Sequence, residues 1–132
     1  MKIPFEKGLL GHSDGDVLSH AIGDAILGAL CKGDLGTHFP DTDPKFKGIS
    51  SLSLLKEIVS MIKEARIVNL DATILCEKPK LAPHILEMRK RIAEVLKISM
   101  DQVSLKAKTA EGLGVTGKGE GISCYAVVGV ES

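Results

Sequence analysis

Near its start the chain runs from a polar cluster straight into an amphipathic stretch, and this join constrains the fold more than any other feature. Residues 12–20 read His-Ser-Asp-Gly-Asp-Val-Leu-Ser-His, two imidazoles and two carboxylates within nine positions. From Val17 onward, apolar side chains recur at helical spacing: Val17, Leu18, Ala21, Ile22, Ala25, Ile26 and Leu30. The spacing predicts a helix from Gly15 to Cys31. Ser13 is positioned as its cap, with Asp16 three residues on as a short capping box. Asp14 and Asp16 fall in the first turn, where the helix dipole favours negative charge. Gly33 is the expected stop.

The remaining chain alternates between the two periodicities. Gly33 to Gly48 is a turn-rich loop of 16 residues, a length that usually carries function. A second helix is expected from Ser51 to Ala65, with Leu54, Leu55, Ile58 and Ile62 inward. A strand is expected at Asn69 to Cys76. A third helix starts at Ala82, where Pro83 is tolerated in the first turn. Ile85, Met88, Ile92 and Val95 form its apolar stripe, and Glu87 can pair with Arg91. Val103 to Thr109 alternates, with Val103, Leu105 and Ala107 on one side and Ser104, Lys106 and Lys108 on the other. Ile122 to Val130 is apolar at nearly every position and is expected to be central or buried at an interface. This order predicts one α+β domain over residues 1–132, a sandwich of a mostly antiparallel sheet with helices on one face.

Charge and composition exclude several classes of function. Lys plus Arg and Asp plus Glu both total 17, which argues against a nucleic-acid or membrane-surface binder. Phe5, Phe39, Phe46 and Tyr125 are too few for a base-stacking platform. No apolar run reaches the roughly 18 residues of a membrane span, and residues 1–10 lack a signal-peptide core. Cys31, Cys76 and Cys124 form no CxxC pair, so three reduced, mostly buried thiols in a cytoplasmic protein are expected.

Several segments could carry chemistry. His20 lies four residues after Asp16, on one side of the helix, and Asp24 continues the row. That arrangement suits a metal-bound imidazole held by a carboxylate, or simply a histidine hydrogen-bonded to Asp16 or Asp24. His12 precedes the helix start, where backbone amides attract phosphate, and reads equally as a surface histidine. Asp34, Asp41 and Asp43 can accept bonds from sugar-like hydroxyls or close Asx turns. Gly112 to Gly119 nearly spells a P-loop, but Gly119 replaces the Ser or Thr that would hold magnesium, and a strand rather than a helix comes next. Such a glycine-rich loop still offers amides to phosphate. Thr109 and Glu111 add a hydroxyl and a carboxylate, the latter suited to a divalent ion bridging a diphosphate. Lys80, between a strand and a helix, is placed to meet a phosphate.

Taken together, these segments resemble one family. The matching stretches are Lys7–Leu10 into His12-Ser13-Asp14-Gly15-Asp16 and His20; Gly33-Asp34-Leu35-Gly36; Phe39-Pro40-Asp41-Thr42-Asp43-Pro44; Pro79-Lys80; Lys106 to Thr109 with Glu111; and Gly117 to Ile122. They resemble, in order, the 2-C-methyl-D-erythritol 2,4-cyclodiphosphate synthases. The resemblance implies a homotrimer with active sites between subunits. It also implies a reaction in which 4-diphosphocytidyl-2-C-methyl-D-erythritol 2-phosphate cyclises and releases CMP.

The resemblance also implies roles, position by position. His12 and Thr109 steady the phosphates in the transition state, with Ser13 beside them. Asp34 and Gly36 contact the erythritol hydroxyls, and Phe39, Pro40, Asp41, Thr42 and Asp43 form the adjoining loop. Lys80, Leu81, Ala82, Ala107, Lys108 and Thr109 match the cytidine and phosphate pocket, and Lys118 stands where an arginine is common. Glu111 matches a magnesium or manganese ligand. His20 matches a zinc ligand, and Asp16 a carboxylate near it. The family's other zinc ligands come from an Asp-x-His strand, and no such motif precedes His12 in these 132 residues. Compromised zinc binding is therefore expected of the chain as written, because a catalytic zinc usually takes three protein ligands. The alternative reading is a non-catalytic relative that binds cytidine diphosphate without zinc.

Overall fold

The computed structural model describes residues 13–40, 51–62, 65–75, 82–108 and 123–131. Helix α1 (Ser13–Ala29) opens two residues before the predicted Gly15, so Ser13 lies within the helix rather than ahead of it. Leu18, Ile22, Ile26 and Leu27 are buried along its inner side. Its end also differs from expectation. Cys31 takes the left-handed conformation that closes the helix (φ 57°), and the expected stop, Gly33, is left-handed as well two residues further on (φ 87°). The Lys32 amide donates to Leu27 O at 2.8 Å and the Cys31 amide to Gly28 O at 3.0 Å, a Schellman closure. Cys31 is exposed there and Cys124 is half-buried, which corrects the expectation of mostly buried thiols. Cys76 lies outside the described residues.

The predicted loop after Gly33 contains a one-turn helix, α2 (Leu35–His38), capped by the Asp34 side chain. Helix α3 (Ser51–Met61) is shorter than predicted, because the chain turns at Ile62 and enters a strand at Arg66. Leu54, Leu55, Ile58 and Ile62 are buried as the spacing required.

Strand β1 (Arg66–Leu75) starts three residues earlier than predicted. A 3-10 turn (Ala82–His84) leads into α4 (Ile85–Leu96), which buries Met88, Ile92 and Val95, with Ile85 partly covered. Glu87 and Arg91 pair across one turn at 3.6 Å. A second 3-10 turn (Met100–Gln102) feeds β2 (Val103–Lys108), whose alternation is as predicted: Val103 and Leu105 are buried while Ser104, Lys106 and Lys108 are exposed. The last described element is β3 (Ser123–Glu131).

The strand order is β2-β1-β3. β1 pairs with β2 in parallel and with β3 antiparallel, so the sheet is mixed rather than mostly antiparallel. The cause is the connection: α4 carries the chain back along the sheet, so β2 must run the same way as β1. Among the described strands β1 is central and β3 lies at an edge, so of the two placements expected for the apolar run the central one does not hold.

One side of the sheet supplies Ile67, Leu70, Ala72, Ile74, Val103 and Leu105 to a core shared with α1, α3 and α4. The other side holds two cross-strand rows, Ser104–Asp71–Val127 and Lys106–Thr73–Tyr125. In β1 the extra residue Val68 forms a bulge: Ile67 pairs with Val130, and Asn69 with Gly129. The bulge puts Ile67 and Leu70, three residues apart, on the same side. Asn69 lies across Gly129, where a Cβ would come 2.5 Å from its Oδ1. Among the described residues no helix is long and apolar enough to cross a membrane.

Candidate functional site

Two places gather the sequence-predicted residues. The first is the corner where α1 meets α2. His20 and Asp24 are both exposed and lie one turn apart on α1. Asp24 Oδ1 accepts the Leu35 backbone N–H at 2.8 Å, so Asp24 anchors the loop that carries Asp34 and Gly36. Asp34 Oδ1 accepts both the Thr37 N–H and the Thr37 hydroxyl at 2.9 Å. These bonds, the backbone one first, hold the Asp34 carboxyl below its ordinary value of 3.8, and nearby His38 adds to the effect. Asp34 is therefore an Asx-type cap and also an exposed, ionised acceptor.

Apolar and backbone contacts complete the corner. The His38 ring donates through Nε2 to Lys32 O at 2.6 Å. Phe39 donates its N–H to Leu35 O at 2.7 Å and packs partly against the core. Pro40 is half-buried. Beneath Leu35, α1 carries Gly23, where a Cβ would lie 2.9 Å from Ile58 Cδ1 and 3.1 Å from Leu35 Cδ2. The missing side chain at Gly23 gives Ile58 and Leu35 room to pack against α1.

The second place is one end of the sheet. Ile74 pairs with Ala107, and Leu75 with Lys108 and Ser123. The carboxyl ends of β1 and β2 therefore lie side by side with the start of β3. In open α/β sheets ligands bind outside the carboxyl ends of parallel strands. Ala107 is half-buried and Lys108 exposed at this edge, and Ala82 is exposed at the start of its 3-10 turn. Lys106 points to the open side of the sheet, where it meets Asp71 at 2.9 Å and holds that carboxyl below its ordinary value. His12, Asp41, Thr42, Asp43, Lys80, Leu81, Thr109, Glu111 and Lys118 lie outside the described residues, as does the near-P-loop segment. For Ser13 and Asp16 only the helical backbone is described.

Among the described residues no group of three His, Cys, Asp or Glu side chains comes together to hold a metal. His20 thus offers a single imidazole, and the described donors do not by themselves fit zinc. Sequence reasoning set Asp24 in the His20 row as a partner for the imidazole; what it missed is that Asp24 anchors the Asp34–Gly36 loop through Leu35. Its helical phase with His20 is visible in the chain, but its bond to Leu35 is not.

The profile of the YgbB family matches residues 1–131. The chain belongs to this family, that of the 2-C-methyl-D-erythritol 2,4-cyclodiphosphate synthases. The Pelobacter propionicus protein of that name is 60% identical over 128 residues, covering 96% of this chain and 81% of its own. The Lachnospira eligens protein is 58% identical over 134 residues, covering 100% of this chain and 73% of its own. Among solved structures, a 2C-methyl-D-erythritol-2,4-cyclodiphosphate synthase in a CDP-bound form superposes with a TM-score of 0.82. It is 33% identical, and the match covers 94% of this chain and 81% of that one. The α1–α2 corner and the sheet end are therefore parts of a YgbB-family fold.

Proposed function

We propose that this chain carries out the family's cyclisation. The 2-phosphate of 4-diphosphocytidyl-2-C-methyl-D-erythritol 2-phosphate attacks the β-phosphorus of the same molecule. One phosphorus–oxygen bond forms, and the bond from the β-phosphorus to its bridge with the α-phosphorus breaks. The bridging oxygen departs with CMP, leaving 2-C-methyl-D-erythritol 2,4-cyclodiphosphate. The observation that carries this reading is the family match from residue 1 to residue 131. The non-catalytic alternative finds no support among the matched relatives, which are named as synthases.

The chain supplies position and charge rather than a covalent nucleophile. In this reading Asp34 and Gly36 take the erythritol hydroxyls, and Phe39 to Asp43 border them. Lys80, Leu81, Ala82, Ala107 and Lys108 receive the cytidine and phosphates, with Lys118 adding positive charge. His12 and Thr109 steady the moving phosphoryl group, beside Ser13. Glu111 holds magnesium or manganese, which would offset diphosphate charge when bound. His20 contributes one ligand toward zinc.

A homotrimer with shared sites and a cytoplasmic location belong to the same reading. The open side of the sheet supports association, since Tyr125 and Val127 are 65% and 70% exposed there. The test is incubation of the full gene product with the diphosphocytidyl substrate and magnesium. Equimolar CMP and cyclodiphosphate are expected. Binding of CDP without CMP release would replace the enzyme with the binding module, and the absence of both would overturn either reading.

A further inference from the structure

We infer that Asp24 is a positioning residue for the substrate-hydroxyl loop. It acts through the backbone of Leu35 and does not touch the substrate. This inference rests on the assignment of Asp34 and Gly36 to the erythritol hydroxyls.

The Asp34–Gly36 segment is short, exposed at Asp34 and Gly36, and preceded by Gly33 in the left-handed region at φ 87°. A segment of that kind has little intrinsic order. Two contacts from α1 impose order on it. Asp24 Oδ1 takes the Leu35 amide at 2.8 Å across 11 residues of sequence. One position earlier, Gly23 lets Leu35 seat against α1 beside Ile58. Leu35 is thus held at its backbone by a carboxylate and at its side chain by the core. Asp34 and Gly36 are its direct neighbours on either side, so their placement is fixed with it. Thr37 then orients the Asp34 carboxylate from within the loop. Charge-assisted bonds of this type are stronger than neutral ones.

A second consequence comes from helical phase. Asp24 lies one turn beyond His20, so the helix that carries the metal-type imidazole also fixes the hydroxyl loop. Any shift of α1 moves both together.

The test uses the full gene product with Asp24→Ala and Asp24→Asn. Asn keeps a side-chain oxygen that accepts the Leu35 amide. In Asp24→Ala, amide hydrogen exchange of residues 35–39 should accelerate at least tenfold while the amides of α4 and β2 keep their wild-type rates. In Asp24→Asn the rates should return to within about threefold of wild type. KM for the diphosphocytidyl substrate should rise about tenfold in Asp24→Ala with kcat within about twofold, and Asn should restore it. In an Asp34→Ala background, Asp24→Ala should add less than twofold, because both changes disable the same loop.

Unchanged exchange at residues 35–39 in Asp24→Ala overturns the inference. So does faster exchange without a change in KM, or full additivity with Asp34→Ala. If the wild-type protein releases no CMP, the assigned reaction fails, and the exchange data still decide whether Asp24 orders the loop.

Discussion

The ends of α1 and α4 are built alike and lead to different places. Both helices close with a Schellman turn around a non-glycine residue in the left-handed region, Cys31 at φ 57° and Lys97 at φ 58°. Ile98 and Lys97 donate back to Ala93 and Glu94, as Lys32 and Cys31 do to Leu27 and Gly28. Both turns lead to a capped single-turn helix: Asp34 caps Leu35–His38, and Ser99 with Gln102 forms a capping box over Met100–Gln102. In both, a side chain from the long helix holds the short one. Asp24 accepts from the Leu35 amide, and Arg89 donates to Met100 O at 2.7 Å and Val103 O at 2.9 Å.

The two junctions differ in what they deliver. Beyond the first lies an exposed polar corner bearing Asp34 and His38. Beyond the second lies β2, whose first residue, Val103, is 2% exposed. The same local device delivers a strand to the core in one case and a carboxylate to solvent in the other. Local geometry therefore does not assign function; the charge and burial of the delivered residues do.

The largest expected effect is at the buried junction. Arg89→Ala removes two bonds to a half-buried guanidinium, and of the two carbonyls Met100 O keeps the Val103 amide. It should destabilise the protein by about 2 kcal/mol, measured by urea unfolding. Arg89→Lys should recover only part, since an ammonium cannot reproduce the planar two-pronged contact. A loss in Arg89→Ala no greater than in Asp24→Ala would break the contrast between the two junctions.

Smaller and opposite in sign are the glycine replacements. A left-handed L-residue costs roughly 1–2 kcal/mol, and glycine gives back about 0.5–1 kcal/mol of that through unfolded-chain entropy. Cys31→Gly and Lys97→Gly should each stabilise the protein by several tenths to about 1 kcal/mol. Equal gains in thermal melts would confirm that the turns are equivalent, and unequal gains would separate them.

The smallest effect sharpens the exposed side. The Asp34 carboxyl is lowered in the folded state, so its contribution is present above the ordinary value of 3.8 and lost as pH falls through the lower folded value. A carboxyl-detected NMR titration should place its midpoint below 3.8. Thr37→Val, which deletes only the hydroxyl donor, should move the midpoint part of the way back. A midpoint that stays put would assign the lowering to the backbone bond and His38, with nothing from the hydroxyl.

The parts of this fold that can be read from the chain are those whose cause is local. The stripes of α3 and α4 and the alternation of β2 are written in consecutive side chains, and the structure buries the residues they name, apart from Ile85 and Ala107 at the ends, which are half-buried. Partner choice is not written there. Nothing in β1 or β2 states that they run parallel; α4 between them decides it. The apolar run of β3 suggests a central or interface-buried strand; among the described strands it is an edge, and Tyr125 and Val127 face the side the helices do not cover. The left-handed ends at Cys31 and Lys97 carry no sequence signal, because glycine is the usual mark of such a turn. At the candidate site, the Asp34–Thr37 cap is visible as a turn former, whereas the Asp24–Leu35 bond joins residues with no sequence relation.

The bulge at Val68 makes β1 and β3 a keyed pair. A plain antiparallel ribbon can slide by two places and keep each side chain on its own side. Here any slide would set the surplus residue out of step with its partner, and either Ile67 or Leu70 would turn toward water. Asn69 would also lose the bare backbone of Gly129 over which it lies. The ladder from Arg66 to Leu75 thus has one alignment in which everything fits, and a mis-threaded sheet cannot settle into a near copy of the right one.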